Sequence, residues 1–144
     1  IGTDGKYQFT VPRERIEKYI LRVTKQLYFP IEKTIYFSEL KLKEENVFDL
    51  TTWAQSWVEL KFVNQNPLSM DHFRYIKQAG YASCAECCPI TEQDFYGAVD
   101  TSIYCVNDGN TTYQYQYSVV GTTNNGIKSA TTIAFDTTEI LLQY

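Results

Sequence analysis

Any chemistry in this chain would have to run through few side chains. There is one histidine, His72, and there are four cysteines, Cys84, Cys87, Cys88 and Cys105. The cysteines read C-x-x-C-C, then sixteen residues, then the fourth. An even, clustered set suggests disulfides in an oxidising compartment. Joining the neighbours Cys87 and Cys88 would strain the ring. Two pairings remain: Cys84–Cys87 with Cys88–Cys105, or Cys84–Cys88 with Cys87–Cys105. Structural zinc commonly takes two separated C-x-x-C knuckles, and here the second is missing. A redox C-x-x-C normally opens a helix after a strand, a setting that Gly80 to Ser83 and Pro89 do not supply. The reading is therefore two disulfides, with no metal and no cofactor.

Oxidised thiols leave a Cys–His dyad without its nucleophile. His72 is expected in the first turn of a short helix, off its apolar face, where an exposed or capping role suffices. Ser69, Asp71 and His72 would not point at one another on such a helix. No G-x-S-x-G, H-E-x-x-H, Walker A or G-x-G-x-x-G pattern occurs. Glu44 with Glu45, Glu92 with Asp94, and Asp100 with Asp108 are possible carboxylate pairs, but glycosidase chemistry would need two of them about 5–9.5 Å apart in a cleft. The expectation is a chain that is not an enzyme.

Binding is the alternative to catalysis. Tyr113-Gln114-Tyr115-Gln116-Tyr117 puts three tyrosines on one face of a strand and the glutamines on the other. The tyrosines are expected to pack inward, under the first helix, which turns the Gln, Ser and Thr side or the loops toward partners. Within residues 81 to 98, Tyr81, Phe95 and Tyr96 are candidate aromatic anchors on a cross-linked loop. Asn107-Asp108-Gly109-Asn110 resembles a calcium loop in composition only and reads as a hairpin turn. Asn110-Thr111-Thr112 fits the glycan acceptor pattern, relevant in a eukaryotic secretory route.

The elements that must position these residues follow from length and periodicity. A chain of 144 residues, 44% apolar and 15% aromatic, suits a single domain spanning 1–144, with residues 1–9 a flexible or peripheral lead-in. Ile16, Tyr19, Ile20, Val23 and Leu27 recur at helical spacing and predict an amphipathic helix over 12–28. Alternation predicts strands from Tyr36 and from Trp57, the latter with Val58, Leu60 and Phe62 inward. Ser69 to Ala79 predicts a second, shorter helix ending at Gly80, and Thr91 a one-turn helix. The last third reads as strands over 101–106, 111–120, 127–135 and 139–144. The fold class is α+β: a helix laid across an antiparallel sheet, a second helix, a disulfide-linked loop and a C-terminal β-meander.

A net charge of −4 disfavours general nucleic-acid binding, and no apolar run approaches the ~18 residues of a membrane span. The first residue is Ile1 rather than Met, which suggests removal of a signal peptide, an anchor or a longer precursor segment. These features predict a secreted, periplasmic or cell-surface module that binds a protein or glycan through its cross-linked aromatic loop. A structural subunit of a cell-surface or viral assembly, such as a pilin-like head that packs with copies of itself, is the alternative. A small hydrolase or thiol enzyme ranks below both.

Overall fold

The computed structural model describes residues 5–11 and 16–144. Among these, the regular elements are nine strands and one 3-10 turn: β1 Lys18–Val23, β2 Ile31–Tyr36, a 3-10 turn Phe37–Glu39, β3 Gln55–Val63, β4 His72–Ala79, β5 Gln93–Tyr96, β6 Asp100–Asp108, β7 Thr112–Val119, β8 Asn125–Thr131 and β9 Thr137–Gln143. The α+β expectation is thereby overturned: among the described residues the architecture is nearly all β. It divides into two compact units. One is drawn from residues up to Val23 and from Ile31–Leu50, the other from Thr24–Pro30 and Thr51–Tyr144.

In the first unit β1 and β2 form an antiparallel pair with Lys18 opposite Tyr36 and Val23 opposite Ile31. Ile35 is buried, and the Tyr7 hydroxyl donates to the Phe48 carbonyl at 2.9 Å. The helix expected over 12–28 is absent: residues 12–15 lie outside the described residues, and 18–23 are β1. The segment Tyr19-Ile20-Leu21-Arg22-Val23 satisfies both periods. Its β-branched and aromatic side chains favour the extended form once a partner strand is present. Ile20 is 48% and Leu27 41% exposed, so the helix stripe drawn through them covers no sheet. The strand expected from Tyr36 starts earlier, at Ile31, and gives way to the 3-10 turn.

The second unit packs two sheets face to face. One has the order β6-β3-β9, with β3 antiparallel to β6 and parallel to β9. The other is antiparallel in the order β5-β4-β7-β8. Alternation selects the inward residues: Val58, Leu60 and Phe62 from β3, Ile140 and Leu142 from β9, Phe73 and Tyr75 from β4, and Tyr113 and Tyr115 from β7 are all buried. The Phe62 ring centroid lies 4.8 Å from that of Phe73, 5.1 Å from Tyr75 and 5.7 Å from Tyr115. These aromatic contacts join the two inner faces. The tyrosines of β7 thus pack between sheets rather than under a helix.

Both remaining helix expectations fail for one reason. In His72-Phe73-Arg74-Tyr75-Ile76-Lys77, the buried residues are Phe73, Tyr75 and Lys77, a period of two. Met70, which a helix over 69–79 would place on its apolar face, is 89% exposed. Residues 93–96 form β5, pairing with His72 to Tyr75 instead of making a helical turn after Thr91. Strand pairing satisfies the backbone of such a short segment better than an isolated helical turn would.

Candidate functional site

The cysteine loop leaves the end of β4 at Gly80. Its bridges are Cys84–Cys87 and Cys88–Cys105, the first of the two pairings open from spacing. All four cysteines are bonded, so the thiol needed by a Cys–His dyad is not present. The loop lies along β6, where Val106 N donates to Glu86 O at 2.8 Å. Buried Lys77 reaches up from β4, donating to Tyr81 O and, at 2.6 Å, to Cys87 O. Its ammonium also lies 5.1 Å from the Tyr113 ring centroid. Burial holds the Lys77 pKa below its ordinary value, and the two carbonyls and the ring offset part of the desolvation cost.

Buried Asn107 completes this anchor. Its Oδ1 accepts from Tyr81 N at 2.7 Å, and its Nδ2 donates to Thr111 Oγ1 at 3.1 Å and to Thr132 Oγ1 at 3.4 Å. Gly80 turns with φ +119°, and a Cβ there would fall 2.7 Å from Tyr113 Cδ2 and 2.8 Å from Asn107 Oδ1. Only glycine fits that approach.

The three candidate anchors have different surroundings. Tyr81 is half-buried with its ring centroid 4.3 Å from that of Phe29. Phe95 is half-buried against Phe62, Phe73 and Tyr75, at 5.9, 5.8 and 6.1 Å. Tyr96 is 68% exposed. Its ring stacks on His72, centroids 4.4 Å apart and planes 16° from parallel. His72 Nε2 lies 2.6 Å from Asp94 Oδ1.

The sheet builds this cluster through register. His72 faces Tyr96 across β4 and β5, and Arg74 faces Asp94. These residues, with Ser118 opposite Arg74 and Gln116 opposite Ile76 on β7, occupy the outer face because their neighbours Phe73, Tyr75 and Phe95 go inward. Arg74 Nη1 donates to Glu92 Oε1 at 3.4 Å. Arg74, Ile76, Glu92, Gln116 and Ser118 line a shallow depression of about 140 Å³, small beside the ~300–1,000 Å³ of usual small-molecule pockets. Asp71 secures both strands: its carboxylate accepts from Leu68 N and Asn64 Nδ2, both at 2.8 Å, and its carbonyl accepts from Gly97 N at 2.8 Å. Those two donors, the Leu68 N–H first, hold the Asp71 carboxyl below its ordinary pKa.

The stacked pair is not evident from the sequence pattern, because a helix over 69–79 separates His72 from Tyr96. The usable signal was period two: His72 and Arg74, and Glu92, Asp94 and Tyr96, each share one strand face. Among the carboxylate pairs, Glu92 and Asp94 share this open face. Asp100 and Asp108 sit at opposite ends of β6, paired with Val63 and Gln55. Asp108 has a buried Oδ1 without a hydrogen-bond partner, and burial raises its pKa. Asn110 is exposed in the β6–β7 turn at φ 61°, its Oδ1 accepting from Ala134 N at 3.2 Å. Among the described residues, no three His, Cys, Asp or Glu groups converge as metal ligands, and no helix is long and apolar enough to cross a membrane. No family model, no curated protein and no solved structure matches the chain.

Proposed function

We propose that this chain is a non-enzymatic extracytoplasmic module that recognises a protein or glycan partner by surface contact centred on Tyr96. One observation carries the reading: a large, exposed aromatic ring stacks on His72 with its centroid 4.4 Å away. A side chain already ordered loses little entropy on binding, and tyrosine presents both an apolar face and a polar tip. The shallow, polar surroundings favour broad contact over enclosure of a small molecule. The extracytoplasmic assignment is supported by the two disulfides, which persist in oxidising compartments.

Retention of the intact chain on immobilised cell-surface protein and glycan fractions tests this. Tyr96→Ala should abolish retention, while Tyr104→Ala, at another exposed tyrosine, should preserve it. Equal retention by both variants would sink the assignment. So would turnover of a peptide, ester or glycoside substrate that is lost in His72→Ala.

A second reading is a self-assembling structural subunit. β8 ends its sheet and carries the exposed Ile127, and an edge strand can template pairing with another chain. A concentration-independent monomer mass would exclude it.

A further inference from the structure

We infer that the outer face of the β5-β4-β7-β8 sheet is a subsite for a neutral oligosaccharide, with one pyranose ring on Tyr96 and the next in the adjoining depression. This rests on the surface-recognition reading and names its ligand class. A pyranose has two chemically distinct aspects: a face of C–H bonds, which packs on an aromatic ring, and a rim of hydroxyls, each a donor and an acceptor. The face offers both complements. His72 covers one side of the Tyr96 ring, which is 68% exposed overall.

Beyond Tyr96 come the hydroxyl partners. Asp94 and Glu92 supply acceptors, Arg74 donors, and Gln116 and Ser118 both kinds. Arg74 presents five N–H donors, and its bond to Glu92 at 3.4 Å uses one of its nitrogens at long range. One two-residue step on β4, from His72 to Arg74, spans roughly 7 Å, the scale separating adjacent sugar rings. The ligand therefore occupies at least two rings. Arg74 sits against Glu92, and the Asp94 carboxylate lies 2.6 Å from His72 Nε2, so both carboxylates already have a partner rather than standing free for a cationic ligand. That pattern suits an uncharged polyhydroxylated chain better than an acidic or basic peptide.

The test is titration of the disulfide-intact chain with cello-, xylo-, manno-, malto- and chitotetraose, followed by amide chemical shifts. At least one tetrasaccharide should shift His72, Arg74, Tyr96 and Gln116 together. Tyr96→Ala should weaken that binding by about tenfold or more, whereas Tyr96→Phe keeps most of it, because the ring and not the hydroxyl makes the stack. The matching monosaccharide should bind about tenfold more weakly than the tetrasaccharide. Absence of shifts with all five sugars, or binding that survives Tyr96→Ala, overturns the glycan subsite. If the same residues then respond to a protein partner or to rising concentration of the chain itself, surface recognition stands without the sugar. If they respond to neither, both readings fall.

Discussion

Tyr96 and His72 are directly opposed residues of β5 and β4, and their rings lie 4.4 Å apart at 16°. One residue earlier on β5, Phe95 points the other way, into the aromatic core. Two adjacent aromatics therefore have opposite duties, set by the pleat of a four-residue strand.

That opposition makes them separable by mutation. Phe95→Ala should cost about 2–4 kcal/mol by opening space beside Phe62 and Phe73. Tyr96→Ala should stay within about 1 kcal/mol, since it loses mainly a surface stack. Urea unfolding of the two variants checks this. Equal losses would mean that Tyr96 belongs to the core.

The two bridges should differ in what they contribute. Cys88–Cys105 closes 18 residues, counted inclusively from a separation of 17, and loop-closure entropy puts its contribution at about 3 kcal/mol. Cys84–Cys87, at a separation of 3, gives about 2 kcal/mol by the same argument. Of the two double serine variants, the one lacking Cys88–Cys105 should have the lower denaturant midpoint. Peptide mapping without reductant should return these two linkages and not Cys84–Cys88 with Cys87–Cys105.

The approach at Gly80 predicts a sharp local intolerance. Gly80→Ala places a methyl group against Tyr113 and Asn107 at a φ of +119°, and a cost of about 2–4 kcal/mol is expected. Asn107→Ala strands the Tyr81 N–H, while the Thr111 and Thr132 hydroxyls keep their bonds to the Asp108 carbonyl, for about 1–3 kcal/mol. Hydrogen exchange at Tyr81 should rise in both variants, and unchanged protection would show that the loop is held elsewhere.

Alkaline pH should unfold this protein through its tyrosines. Burial first, then the neighbouring phenols, raises Tyr113 and Tyr115 far above the ordinary value of 10, and burial pushes Tyr144 up to about 12. The native state keeps protons that the unfolded chain releases, so stability is intact below pH 10 and falls as pH rises beyond it. Each fully buried phenol adds about 1.4 kcal/mol per pH unit to the slope. The Tyr115 hydroxyl is buried without a hydrogen-bond partner. Tyr115→Phe should therefore leave neutral-pH stability unchanged or raise it by about 1 kcal/mol, and make the alkaline slope shallower. A destabilised variant with an unaltered slope would contradict this.

What the sequence determined by itself was local. The alternation of Trp57 to Phe62 and of Tyr113 to Tyr117 admits one period, so those strands and their buried faces were legible, as was the turn at Asn107 to Asn110. The cysteine spacing reduced the bridges to two pairings. Tertiary structure decided the rest, because the deciding partners are distant in sequence. Tyr19 to Val23 and His72 to Ala79 fit both a helical stripe and a strand alternation, and only pairing with Ile31–Tyr36 and with β5 and β7 selects the strand. The parallel match of β3 with β9 joins Trp57 to Thr137, a separation no local pattern encodes. The candidate site belongs to this second class. His72, Asp94 and Tyr96 acquire a common surface through strand register, which is fixed by burial of Phe73 and Phe95 on the opposite face.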